Sequence, residues 1–162
     1  MKKVMKVLDR IEELILIILM FVMTVSIIIQ VFSRTVLNIS PSWTEELARY
    51  ILVWITFVGA SLGVKRGAHM GVEAFTMLFP KNIAKYVKLI TALVCAVFTG
   101  LVCVNSISIL KLQISTGQVS AAMQLPMWIP YGGVTFGTLL MTIRFIESFF
   151  NTVNADENGG DN

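Results

Sequence analysis

Charge is scarce in this chain: Asp, Glu, Lys and Arg make up 14% of its 162 residues, and most of them avoid four long apolar runs. That scarcity, with a hydrophobic share of 56% and a mean hydropathy of +0.77, excludes a soluble domain with an ordinary surface. Histidine is scarcer still. The lone His69 gives no basis for a Ser-His-Asp constellation and rules out a bis-histidine haem within the chain. Only two cysteines occur, Cys95 and Cys103. If both lie on one helix they stand about 12 Å apart along its axis, too far for a disulfide, and they read as small packing residues. One histidine without clustered thiolates gives no metal site. No Gly-rich phosphate loop follows a strand and no nucleic-acid module is present. Neither an enzyme nor a resident cofactor is expected.

What is present is apolar length. Leu14 to Ser33 carries no charge and would span roughly 30 Å as a helix, the thickness of a hydrocarbon core. Lys2, Lys3 and Lys6 precede it as in a secretory signal, but the run is too long and lacks a small-residue cleavage site. The uncharged run Tyr50 to Val64 would cover only about 22 Å, so its helix must begin earlier. Pro41, Ser42 and Glu45 supply a boundary and a capping-box pattern, which starts the helix at Ser42 and puts Glu45, Glu46 and Arg49 in its first two turns. Tyr86 to Leu110 and Pro126 to Phe150 complete the set, with Trp128 and Tyr131 as an interfacial anchor. The expected fold is an all-α integral membrane domain over 1–150 with spans near 12–34, 42–65, 85–110 and 126–150, and a disordered polar tail over 151–162.

Lys and Arg set the orientation. The amino end and the connection between the second and third spans hold most of them, whereas the other two connections hold only Arg34 and Lys111. The positive-inside rule therefore puts both termini in the cytoplasm. Lys65, Arg66 and His69, in the connection "KRGAHMGVEAF", are expected to meet anionic lipid headgroups at that surface.

The second span is two-faced at 100° per residue. Glu45, Arg49, Leu52, Thr56, Gly59, Ala60 and Gly63 share one side; Trp43, Leu47, Tyr50 and Trp54 share the other. The first side, with the small-xxx-small pair Gly59 and Gly63, is expected to pack against protein, and the aromatic side against lipid or a large hydrophobic partner. Arg49 stands four residues after Glu45 and three after Glu46, spacings at which both acids can reach its guanidinium. Such a cluster either caps the helix and pairs at the membrane surface, or binds a substrate, an ion or a partner chain. Ala92, Ala96 and Gly100 in the third span, and Gly133 and Gly137 in the fourth, read as packing stripes. Asn105, the most polar side chain inside the third span, is expected to make an interhelical hydrogen bond.

The run "WTEELARYILVWITFVGASLGVKRGAH", Trp43 to His69, resembles the signature of the small membrane subunit of tripartite ATP-independent periplasmic (TRAP) transporters, the DctQ-like family. "TGQVSAAMQLPMWIPY", Thr116 to Tyr131, resembles the same family's region before its last helix. The resemblance implies an inner-membrane subunit of a bacterial or archaeal uptake system for organic acids such as C4-dicarboxylates or sialic acid. It also implies two partners: a large DctM-like subunit that holds the sodium and substrate sites, and a soluble periplasmic binding protein. On this reading the chain is fixed scaffold. Trp43, Glu45, Glu46, Arg49, Thr56, Gly59 and Gly63 become structural or subunit-contact residues, and Gln118 and Trp128 join Trp43 as candidate docking positions for the binding protein. Three other readings compete: a four-helix multidrug exporter working as a homodimer, a membrane anchor for a redox enzyme and, more distantly, a purely structural tetraspanning protein. The exporter would want an acid deep within the first helix, whereas Glu12 and Glu13 lie at its start.

Overall fold

A computed structural model describes the backbone of residues 2–39, 41–76 and 81–157, and the side chains of 8–39, 41–65, 86–150 and 152–153. Four helices follow in order: α1 (Lys2–Val36), α2 (Ser42–Thr76), α3 (Lys81–Thr116) and α4 (Trp128–Glu157). Each contains a stretch long and apolar enough to cross a membrane: Leu8–Val36, Ser42–Lys65, Tyr86–Thr116 and Trp128–Phe150.

The helix ends have local causes. Asn38 adopts a left-handed φ of 53°, and the amides of Leu37 and Ile39 both donate to the Ser33 carbonyl, closing α1. Gly117, at φ +61°, stops α3 in the same way. The start of α2 falls at Ser42 as expected, but the expected capping box does not form. Instead the Thr44 hydroxyl and amide both donate to the Pro41 carbonyl, at 2.7 and 3.3 Å, and Thr44 is fully buried. Pro126 stays outside α4, accepting from the Ile129 amide at 3.1 Å and forming an isolated antiparallel bridge with Val119.

Helices run further than the apolar stretches. The segment expected as a loop after Lys65 is helical, α2 continuing to Thr76. Between Lys65 and Thr76 there is no proline, and the first one, Pro80, falls just before α3. The last helix likewise reaches Glu157, and the remainder of the expected tail lies outside the described residues.

In space the helices form a row rather than a closed bundle. The packing order is α1, α2, α4, α3; α2 and α3 touch lightly, and the backbone of α1 approaches only α2. Tight crossings come where a large side chain meets glycine. A Cβ at Gly137 would lie 2.5 Å from the Cβ of Phe57 and 2.6 Å from its carbonyl carbon, and one at Gly133 would lie 3.0 Å from the Trp54 ring. Both sides of α2 meet protein: Glu45 and Gly59 lie towards Gln30 and Leu16 of α1, as expected of that side, and the aromatic side lies against α4 rather than lipid. Its aromatic side packs on the glycines of α4, while a Cβ at Gly63 would meet nothing within 4 Å and one at Gly59 only Leu16 of α1, at 3.9 Å. At Gly137 the Cβ and backbone of Phe57 fill the place of the missing side chain, and at Gly133 the Trp54 ring does, so the close approach falls on the glycines of α4 and not on those of α2. The α3 stripe does face α4: Ala92 is buried, Gly100 stands near Thr142, and the Thr142 hydroxyl donates to that of Thr99 at 3.1 Å.

Candidate functional site: two charged centres at opposite ends of the helix row

At the end of the row opposite the α1–α2 and α3–α4 connections, α4 brings in Arg144, which is only 5% exposed. Its Nη2 donates to Asp9 Oδ1 at 2.9 Å and to Glu12 Oε2 at 2.7 Å, both on α1, and its Nη1 donates to the Ser61 carbonyl on α2. Lys65 of α2 completes the network by pairing with Asp9 Oδ2. Two acids and two bases balance formally. Glu12 and Asp9 are 3% and 9% exposed, so each charge is carried inward only because an opposite one meets it. One turn of α1 separates the two acids, which puts both on the side facing α2 and α4.

In the sequence Glu12 reads only as an acid at the start of the first span, and Asp9 and Arg144 are given no role. The helical spacing of Asp9 and Glu12 was an available signal. The pairing partner, 135 residues away from Asp9, was not. Lys65, expected at the lipid surface, is half exposed and spends its charge on Asp9. The side chains of Arg66 and His69 lie outside the described residues.

The opposite end is built around Glu46. Its Oε1 accepts from the Tyr50 hydroxyl one turn along, and its Oε2 accepts from the backbone amides of Ala122 and Met123 at 2.8 and 3.1 Å. One carboxylate thus satisfies two loop amides that no helix or sheet takes up. The loop braces itself as well. Ser120, 2% exposed, donates its amide to the Leu125 carbonyl at 2.8 Å and accepts the Leu125 amide on its hydroxyl, and the Met127 amide reaches the Gln118 carbonyl at 2.9 Å. Trp54 Nε1 then ties α2 to the first turn of α4 through the Ile129 carbonyl at 3.1 Å.

The expected Glu45–Glu46–Arg49 ion cluster does not form. Glu46 is taken by the loop, Glu45 accepts from Gln30 of α1 at 3.0 Å, and the exposed Arg49 makes no ion pair among the described residues. Arg49 lines instead an open cavity of about 500 Å³ between α2 and α4, with Glu45, Tyr50, Val53, Met127 and Tyr131 among its walls. Trp43, Thr56, Gln118 and Trp128 are exposed. No group of three or more His, Cys, Asp or Glu side chains suited to a metal ion occurs among the described residues.

Four apolar helices whose inward-facing charges each meet an opposite one define an integral membrane protein. The comparisons with known proteins say which. The sequence model described as "Tripartite ATP-independent periplasmic transporters, DctQ component" matches residues 23–155, and the chain belongs to that family. Its members are inner-membrane permease subunits and not enzymes. Among relatives, the sialic acid TRAP transporter small permease protein SiaQ of Vibrio cholerae is 29% identical over 157 residues, 93% of this chain and 86% of the relative. The C4-dicarboxylate TRAP transporter small permease protein DctQ of Rhodobacter capsulatus is 26% identical over 123 residues, 76% of this chain. The matched region spans about half (54%) of that relative's length. The isethionate TRAP transporter permease protein DctMQ of Oleidesulfovibrio alaskensis is 27% identical over 111 residues, 68% of this chain but 18% of the relative.

Proposed function

We propose that this chain is the scaffold subunit of a sodium-coupled, binding-protein-dependent TRAP transporter for organic acids. A separate large membrane subunit carries the sodium and substrate sites. Family membership supports the assignment, and the substrates for which the relatives are named, C4-dicarboxylate, sialic acid and isethionate, bound the chemical class to small organic anions. The match to a short part of a much longer permease chain supports a large partner, because there the same kind of segment is joined to one.

The observation that carries the scaffold role is the fate of the buried charges. A carrier needs ionisable or unwound elements free to meet substrate and ion inside the membrane. Here Asp9 and Glu12 are met by Arg144 and Lys65 at one end, and Glu46 is committed to a loop at the other. With both termini cytoplasmic, that loop, Trp43, Gln118 and Trp128 face the periplasm and help dock the binding protein. A homodimeric exporter is less well supported, since Glu12, the acid such a reading would recruit, is held by Arg144.

A pull-down of the chain from native membranes in mild detergent, read by mass spectrometry, tests the proposal. A stoichiometric large polytopic partner is expected, with organic-acid uptake only when both chains and the binding protein are reconstituted. Uptake by this chain alone would refute the scaffold role.

A further inference from the structure

Asn105 lies in the uncharged part of α3 between Lys88 and Lys111, about 9 Å along the helix from Lys111 and within the span Tyr86–Thr116. The interhelical hydrogen bond expected of it does not form within this chain. The side of α3 that packs on α4 carries Ala92, Thr99, Cys103 and Ser106, all buried. Asn105 is exposed on the other side, in line with Val94, Phe98, Leu101, Ser108 and Leu112.

Its carboxamide is only partly satisfied. Nδ2 donates to the Leu101 carbonyl of its own helix at 2.8 Å, which leaves the second N–H and the Oδ1 acceptor without a partner among the described residues. Exposed hydroxyls in the spans differ: Thr24, Ser108 and Thr135 each donate their single proton to a carbonyl of their own helix and require nothing further. A helix backbone has no free N–H to offer an Asn oxygen, and acyl chains offer no donor at all. The outer face of α1 makes the contrast plain, since Ile17, Phe21, Ile28 and Phe32 present only hydrocarbon.

We infer that the Asn105 face of α3 is the surface against which the large permease subunit packs, with a polar side chain or an unwound backbone group of one of its membrane helices completing the Asn105 carboxamide. The apolar face of α1 meets lipid. This rests on the scaffold reading above and adds to it the surface used and the chemistry of the contact.

The test uses the chain co-expressed with its large subunit and reconstituted in lipid nanodiscs. A photo-crosslinking amino acid at position 105 should form a covalent adduct with the large chain, and one at position 21 should label lipid. Asn105→Leu should weaken association, read by energy transfer in vesicles, by roughly threefold to tenfold, the range for interhelical hydrogen bonds in membranes. It should leave the thermal midpoint of the isolated subunit in place, since the side chain is exposed and its one hydrogen bond stays within its own helix. A wild-type chain that binds no large subunit would overturn both this inference and the proposed function. With the wild-type complex intact, crosslinks from 105 to lipid alone or to a second copy of this chain, or unchanged association of Asn105→Leu, would overturn the inference only.

Discussion

The two ends of the helix row solve one problem, charge at the margin of an apolar medium, in different ways. At one end three helices pool side chains, and Arg144 is satisfied by two carboxylates of α1 and a carbonyl of α2. At the other a single carboxylate, Glu46, is satisfied by its neighbour Tyr50 and by backbone amides of a loop. The first arrangement joins helices. The second shapes a surface. Removing a member should therefore cost global stability at the first end and local order at the second.

The largest effect is expected from Arg144→Met, which leaves Asp9 and Glu12 buried without their main cation. A loss of about 3–5 kcal/mol is expected for breaking a buried ion network from one side, seen as a collapse of folded yield or thermal midpoint in detergent. If that variant kept its midpoint, the network would have to be incidental to folding. Next comes Gly137→Leu, which drives a side chain into Phe57 and should destabilise by about 1–3 kcal/mol, whereas Gly63→Leu, facing open space, should stay within about 0.5 kcal/mol. Equal midpoints for the two would contradict the tight crossing of α2 with α4. Glu46→Gln keeps the shape but loses the charge that holds the amides. Hydrogen exchange should accelerate at Ala122 and Met123 while helix protection is unchanged, and exchange that spreads through α2 and α4 would erase the contrast between the ends. Lys65→Met removes a half-exposed partner of Asp9 and should cost no more than about 1 kcal/mol. Smallest of all, Arg49→Ala should leave the midpoint unmoved, because the guanidinium makes no ion pair among the described residues.

Helix number and approximate spans were legible in the sequence because membrane depth imposes a minimum apolar length, and the start of α2 at Ser42 followed from that length. The helical extension past Lys65 was not legible, because charge there marks the membrane boundary and says nothing about where the helix stops. Glu46 stood out as charge beside apolar residues, yet its partners were assigned by helical spacing to Arg49. The loop amides of Ala122 and Met123 carry no side-chain signal that could have competed. The tight crossing of α2 with α4 was missed for a similar reason: a small-xxx-small motif says that backbones can approach, not that they do, and the deciding glycines lay on α4. Asp9 and Arg144 belong together only after α1, α2 and α4 have been placed side by side.

That last pairing also has a consequence in time. Lys65 follows Asp9 after 56 positions, but Arg144 follows Glu12 only after 132. At roughly 5–20 residues per second, Glu12 waits several seconds or longer for its counter-charge, with α2 and α3 emerging in between. Until then it has every reason to stay in water, so α1 can seat fully against its neighbours only once α4 has arrived. Synthesis of α4 is thereby coupled to the seating of α1, and a nascent chain that stalls before residue 144 exposes an unpaired acid by which it can be told from one that has passed it.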